Sequence, residues 1–425
     1  MRPWGAAQEM DKIFDADIVI GGGGLAGLTL ALALRHGLRR DRSAVTILVA
    51  DPALDAPPLC GCGATAILAG ARRMLEEIGL WPQLESLAEP VRDITITGST
   101  PRDGRRPTLL TFSDSIEAGQ PLAHVIEDRE FKAALLSAAG TSATGATEIR
   151  LRPLRLESAT TDTDSAVVRL ADGTVIRTAL VVAADGAASR LRLRAGIGTT
   201  GWDHDHSVIV ATTRHDGDHQ GRAEEQFLST GRAELLPLRN RRSALLWSQP
   251  RREAEYLVSL STAGFEDEIE RRIESQRGRL TLEGSLRALP LSGFVARSFI
   301  AERLALVGDA AHVIPPVAGL GLNLSLTDVA ALAEVIVDAA RLGFDIGSHH
   351  VLERYQRWRR FDTVATGLTA TATRLLLSDR SRLGQAITGF GFGLLDRAPM
   401  IRAHLARHAA GITAGAPRLL RGQAL

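Results

Sequence analysis

The chain has 425 residues, 45% of them hydrophobic, enough to bury a sizeable core and to form two or three domains. Its 50 basic residues nearly cancel 49 acidic ones, leaving a net charge of +1, so no global field recruits a polyanion and nucleic acid is not expected as a partner. No long apolar run occurs and residues 1–16 lack an apolar signal region, so neither a spanning helix nor an export signal is expected, and the location read from the sequence is cytoplasmic.

In chain order, Asp17 to Ile20 reads as a short buried strand, with Gly22, Gly24 and Gly27 forming a GxGxxG turn behind it. Leu25 to His36 reads as an apolar helix that Gly37 ends in a left-handed cap, and Val45 to Val49 as a second strand. This βαβ opening aims a helix N-terminus and its free N–H groups at a pyrophosphate, which points to a bound dinucleotide. Cys60 and Cys62 stand too close to close a disulfide readily, and no further thiols or histidines accompany them at ligand spacing, so no metal is expected.

Val167 to Leu170 and Val175 to Arg177 read as a hairpin turned at Asp172-Gly173, followed by a buried strand, Ala179 to Ala184, that delivers Asp185-Gly186 at its carboxyl end. Ser207 to Thr213, Arg222 to Leu238, Ser243 to Ser248 and Tyr256 to Leu260 are rich in strand-like runs and suggest a separate sheet domain. Glu266 to Arg277 is helical in character, Arg303 to Val307 is a buried strand leading into Gly308-Asp309, and from Leu322 to Ala340 onward the chain is mostly helical. The expected fold class is α/β: a Rossmann-like βαβ domain (15–90, 123–190 and 297–345), an inserted antiparallel β-sheet domain (91–122 and 191–296) and a helical C-terminal region (346–425).

The three motifs, the glycine turn, Asp185-Gly186 and Gly308-Asp309, suit three parts of one cofactor, flavin adenine dinucleotide. Asp309, directly after a glycine at a strand end, is placed to accept hydrogen bonds from ribityl hydroxyls. Pro315 and Pro316, followed by Gly319 and Gly321, stiffen a loop whose bare backbone can lie close to a flat ring. The helix starting near Leu322 and Asn323 turns its positive end toward the negative charge of a reduced flavin. His312 is expected to pack at a strand–helix junction rather than to act as an acid or base, and no catalytic base is legible.

These residues carry a family resemblance. Val181 to Ser189 and Leu304 to His312 resemble the second and third flavin motifs of aromatic hydroxylases of the p-hydroxybenzoate hydroxylase fold. Pro316 to Leu324 with Asp328, and the run Ala223, Glu224, Phe227, Gly231, Leu235 to Leu238, Ser243 and Trp247, resemble more narrowly the ubiquinone-biosynthesis FAD-dependent hydroxylases. The resemblance spans about Asp17 to Tyr355 and implies a monooxygenase. In that family, as the resemblance implies for this chain, NAD(P)H or another electron donor reduces FAD, oxygen adds to the flavin as a hydroperoxide, and a hydroxyl group passes to the ring of a polyprenylated phenol. Arg129, in Glu127-Asp128-Arg129, matches a family arginine that approaches the cofactor. A prenylated substrate implies work at a membrane surface, in complex with other pathway enzymes. Between Arg341 and Leu425, 13 arginines face five acidic residues, with Phe390, Phe392, Leu394 and Leu395 among them, a pattern suited to peripheral contact with the inner face of the cytoplasmic membrane.

The chain departs from the family at cofactor-facing positions. Val49 stands where a glutamate for the adenosine ribose is usual, with Asp51 two residues on as its replacement. Gly61-Cys62-Gly63 replaces an Asp-Gly-Arg run, Leu320 replaces a glutamine, and His204 and His206 stand where tyrosine and glutamine are common. The competing expectations are a divergent, non-catalytic member that binds a prenylated lipid or a pathway partner, and a flavin oxidoreductase of another substrate.

Overall fold

A computed structural model describes residues 13–38, 45–55, 63–98, 107–112, 120–141, 147–228, 230–275, 277–314, 321–360 and 415–425. Its centre is a sheet of six strands in the order Ile300–Ala301, Leu304–Leu306, Leu180–Ala183, Ile18–Gly21, Val45–Ala50, Thr147–Arg152. All neighbours run parallel except the first pair. Ile18, Val19 and Ile20 have no solvent exposure, as expected for strands covered on both faces. The helix Leu25–Leu38 packs against the long helix Gly321–Arg341.

Gly37 does not end the first helix. It lies inside Leu25–Leu38, and a Cβ there would sit 2.6 Å from Val337 Cγ2 and 3.1 Å from Leu425 Cδ1. Glycine is needed at this position for close packing against two segments far away in sequence, at Val337 and Leu425, not for a turn. Residues 349–360 are helical, and the C-terminal residues 415–425 return to this core, where Leu419 and Leu420 are buried and Arg418 donates its backbone N–H to Glu334 at 2.7 Å. Phe390, Phe392, Leu394, Leu395, Cys60 and Cys62 lie outside the described residues.

Above the six-stranded sheet stands a larger one of eight strands, built on the antiparallel pair Thr199–His215 and Leu280–Ala296. Thr199–His215 pairs on its other edge with Arg242–Pro250, followed in order by Arg232–Leu238, Arg222–Phe227, Asp93–Thr97 and Thr108–Phe112. Its two faces differ because strand side chains alternate. One face carries Ile209, Ala211, Ala233, Leu235, Leu245 and Trp247 beneath the helices Arg251–Ser259 and Thr262–Arg272. The other carries Ala223, Leu236, Leu238 and Ala244, packed on a small sheet of Ala64–Leu68, Ala123–Glu127 and Glu89–Val91.

Of Tyr256 to Leu260, expected among the strands, Tyr256 to Ser259 belong to the helix Arg251–Ser259 and Leu260 is its C-cap. Ala254 and Leu257 fall one helical turn apart and both bury in the core beside Phe265, while Tyr256 is exposed. The next helix starts earlier than expected, at Thr262, because Ser261 Oγ accepts the Gly264 N–H at 3.2 Å and caps it.

Gly37→Val should destabilise the fold by about 1–3 kcal/mol through overpacking, read as a lower midpoint in denaturant with unchanged slope. An unchanged midpoint would show that the two helices have room to part.

Candidate functional site

The carboxyl ends of the parallel strands bring the sequence motifs together. Gly22 has φ +118°, and a Cβ on it would lie 2.1 Å from the Ala184 carbonyl oxygen, at the end of the neighbouring strand. A Cβ on Gly27 would lie 2.0 Å from the Gly22 carbonyl oxygen. These two glycines let the turn and the first helix close on the sheet. Gly24 is different: nothing lies within 4 Å of its Cβ position, so the backbone at the helix N-terminus, with its unpaired first-turn N–H groups, stays open to an approaching ligand.

Asp51 reaches this turn. One carboxylate oxygen accepts the Gly23 N–H and the other the Ala53 N–H, both at 2.7 Å, so Asp51 caps the short turn Pro52–Leu54 and borders the glycines. Val49 is fully buried and faces the core. Asp51 is therefore the carboxylate that adjoins the glycine turn from this strand.

Asp185 caps the short helix Arg190–Arg194, one oxygen accepting the N–H of Arg190 at 2.9 Å and of Leu191 at 3.3 Å. Its other oxygen, Oδ1, is buried without a hydrogen-bond partner among the described residues. A buried carboxylate oxygen left unpaired is costly, and its position fits a ligand hydroxyl. Gly186 follows with φ +82° and open space over its Cβ position.

Gly308 has φ +60°, and a Cβ there would come within 3.1 Å of Ser325 Oγ and 3.3 Å of Ala26 Cβ, so this turn is wedged between the first turns of two helices. Asp309 is solvent-accessible yet has protein on most sides, as at the wall of a crevice. Partial desolvation raises its carboxyl pKa, with His312 opposing and Asp328 adding to the rise.

Behind the turn lies a buried ionic network. Asp328 accepts hydrogen bonds from the Gly308 N–H at 3.1 Å and from Arg359 Nε at 2.8 Å, and pairs with His312 Nε2 at 2.5 Å. Burial alone would raise the Asp328 pKa, but His312 and Arg359 outweigh it and hold the carboxyl below its ordinary value. Tyr355 donates its hydroxyl to the Leu306 carbonyl at 2.7 Å, on the strand that leads into the turn. His312 thus packs at the strand–helix junction, as its sequence position suggested.

Arg192, which the sequence reading passed over, joins two of the motifs. Its guanidinium donates to the Ala310 carbonyl and to the Ala187 carbonyl, each at 2.8 Å, and lies 4.7 Å from the centre of the Phe294 ring. The available signal was Ser189, whose Oγ accepts the Arg192 N–H at 3.0 Å as an N-cap does. The strand His312–Val313 then pairs with Phe294 and Val295, tying the Gly308-Asp309 turn to the large sheet.

Other expected residues sit differently. Gly321 opens the helix Gly321–Arg341 with nothing near its Cβ position, and Leu322 is half-buried beside it. Asn323 turns its side chain to the small sheet, accepting the Leu68 N–H at 2.9 Å and donating to the Ala66 carbonyl at 2.7 Å, so what it offers a ligand is its place at the helix N-terminus. Arg129 is half-exposed and lies 3.4 Å from buried Glu127, which also holds Arg242 of the large sheet at 3.1 Å. Gly63 is covered by Asp128, whose Oδ2 would lie 2.3 Å from a Cβ there and whose other oxygen accepts the Thr65 hydroxyl at 2.6 Å. Burial raises the Asp128 pKa. Pro316, Gly319 and Leu320 lie outside the described residues.

Asp328→Ala should cost about 3–5 kcal/mol of stability, because Arg359 would stay buried without its counter-charge; a loss under 1 kcal/mol in denaturant unfolding would contradict this. Since the folded pKa of Asp328 is lowered, its contribution is present above the ordinary aspartate value and is lost as pH falls through the lower folded value.

Residues 15–366 match the FAD binding domain family. The chain is 36% identical to "Ubiquinone hydroxylase UbiL" of Rhodospirillum rubrum, over 97% of this chain and 94% of that protein. It is 32% identical to the "3-demethoxyubiquinol 3-hydroxylase" of Escherichia coli over 81% and 86% of the two chains. Among solved structures, p-nitrophenol 4-monooxygenase PnpA of Pseudomonas putida superposes with a TM-score of 0.73 at 20% identity, covering 94% of this chain and 97% of that one. At 23% identity, pqsL of Pseudomonas aeruginosa, a probable FAD-dependent monooxygenase, superposes with a TM-score of 0.71 over 89% and 99%. With its strand-end geometry and these relatives in agreement, the chain belongs to the FAD binding domain family of flavoprotein monooxygenases, in the branch of the ubiquinone hydroxylases.

Proposed function

We propose that this protein is an FAD-dependent monooxygenase that hydroxylates the aromatic ring of a polyprenylated phenol in ubiquinone biosynthesis. The observation that carries the reading is the 36% identity, over nearly the whole of both chains, to a protein named as a ubiquinone hydroxylase. Its support from this chain is the set of open positions at the strand ends: Gly24, Gly186 and Gly321 with free space over the backbone, the unpaired Asp185 oxygen, and accessible Asp309.

Each residue has a part in holding the cofactor. The turn at Gly22, Gly24 and Gly27 receives the pyrophosphate, and Asp51 takes an adenosine ribose hydroxyl on a carboxylate already fixed by two backbone N–H groups. Asp309 and the free oxygen of Asp185 accept ribityl and neighbouring hydroxyls. Gly186 and Gly308 permit the positive φ of their turns. The helix end at Gly321, Leu322 and Asn323, which Pro316 and Gly319 precede in the sequence, would favour negative charge on the flavin ring. Arg129 would add positive charge from the first turn of the helix Asp128–Gly140, which follows the small sheet. When bound, FAD supplies the redox chemistry, taking electrons from NAD(P)H or another donor and activating oxygen. The protein's own share is to hold the ring in place and exclude water.

No helix among the described residues is long and apolar enough to cross a membrane. A prenylated substrate reaches such a protein at a lipid surface, so peripheral contact through the arginine-rich C-terminal region, and association with other enzymes of the pathway, form part of the proposal.

Asp309→Ala should weaken FAD binding about ten- to a hundredfold, the equivalent of about 1.5–3 kcal/mol of charge-assisted hydrogen bonding, in a protein that still folds. Gly24→Val should do at least as much by closing the approach to the pyrophosphate, and unaltered affinity in both variants, read by flavin fluorescence titration, would remove the assigned roles. The activity is tested by supplying FAD, NADPH, oxygen-18 gas and a short-chain polyprenyl phenol. Oxygen-18 in a new ring hydroxyl is expected; oxidation of NADPH with no labelled product would contradict hydroxylation.

A further inference from the structure

The large sheet carries a second cluster of charged residues, on the face turned toward the small sheet. Strand register places Glu225 opposite Glu234, and Glu234 opposite Leu246, two residues along from Ala244, which packs on the small sheet. Arg232, two residues before Glu234, lies 3.2 Å from Glu225 and 2.8 Å from Glu234. Two carboxylates thus share one guanidinium in a poorly hydrated place.

Its position bears on the site already described. The strand His312–Val313, directly after the Gly308-Asp309 turn, reaches the large sheet at Phe294 and Val295, and the small sheet reaches it at Leu236, Leu238 and Ala244. Between these two contacts the same face carries an apolar group of Val208, Val210, Leu246 and Leu291, and the charged cluster adjoins it, Glu234 standing opposite Leu246, whose other register neighbour is Val210. An aromatic ring with a hydroxyl and an apolar tail suits such a surface, apolar underneath with a proton acceptor at its edge.

Resting on the hydroxylase reading, we propose that Glu225, sharing Arg232 with Glu234, is the catalytic group that takes the proton from the phenol hydroxyl of the substrate. The O–H bond of the phenol breaks, its electron pair stays on the ring oxygen, and the proton passes to the Glu225 carboxylate. The phenolate is the more electron-rich ring and the better partner for an electrophilic oxygen, and Arg232 offers the new anion a counter-charge.

The electrostatics support the role. Burial, then repulsion from Glu234, push the Glu225 carboxyl up to about 7, against the pull of Arg232. A base poised near neutrality is matched to its task. Among the described residues, the charged groups facing Glu225 are these two; from the strand on its other side the register neighbour is Ile96, and across the sheet lie Leu246 and Ser248. The two carboxylates titrate as a pair, so the midpoint belongs to the cluster.

The test is the pH dependence of kcat/KM for a short-chain polyprenyl phenol, with flavin occupancy read by absorbance in each variant. The wild type should gain activity with a midpoint near pH 7. Glu225→Gln should keep its flavin, lose that limb and fall about 10²–10⁴-fold in turnover. Glu234→Gln should move the limb to lower pH, because the like charge that raises the Glu225 pKa is gone. An active wild type with an equally active Glu225→Gln, its limb intact, overturns the role. If Glu225→Gln loses its flavin, Glu234→Gln decides, and an unmoved limb overturns the role. A wild type that holds FAD and hydroxylates no such phenol overturns the functional reading itself, a result distinct from either.

Discussion

Everything at the candidate site depends on backbone approaching backbone more closely than side chains allow. Gly22 lies against the Ala184 carbonyl, Gly27 against the Gly22 carbonyl, and Gly308 between Ala26 and Ser325. These contacts join the first strand, the first helix, the Asp185 strand and the Gly308 turn at one end of the parallel sheet. A methyl group at the first two would meet a backbone oxygen at about 2 Å, which no rotamer change relieves. The opening at Gly24 exists because its neighbours are packed so closely.

Charge completes what the glycines begin. Asp328 takes the Gly308 N–H directly while His312 and Arg359 compensate its charge, so the turn that presents Asp309 is fixed from behind by a buried ionic network. Arg192 holds the same turn from the side by bonding Ala310 and Ala187, which ties the ends of two strands together. The Arg242–Glu127 pair sets a corresponding tie between the large sheet and the small one. The site is a rigid wall built from three segments distant in sequence, which suits a cofactor whose ring must be held against a substrate.

Local patterns made much of this legible. The GxGxxG turn, the buried strands before Asp185 and Gly308, and the long apolar helix after Gly321 are written in short windows, and each appears where its pattern placed it. What escaped depends on partners far away in the chain. Gly37 looked like a helix stop because nothing nearby reveals Val337 and Leu425. Tyr256 to Leu260 looked like a strand because five residues cannot separate the two periods, and the helix shows only once Ala254 is counted. Asn323 looked like a ligand residue, but its amide is spent on Ala66 and Leu68, and Asp185 gives one oxygen to capping a helix. Val49 is buried in the core, and the carboxylate beside the glycine turn is that of Asp51, whose aim toward Gly23 is set by a capped turn that strand alternation does not predict.

The central claim is that this wall holds FAD in the protein as it stands, with Gly63 and Val49 where the family resemblance leads one to expect charged groups. The most direct measurement is the visible absorption spectrum of the purified protein, before and after FAD is added and the excess removed. The account predicts the resolved bands of a protein-bound oxidised flavin. A protein that stays colourless after FAD is added would contradict it.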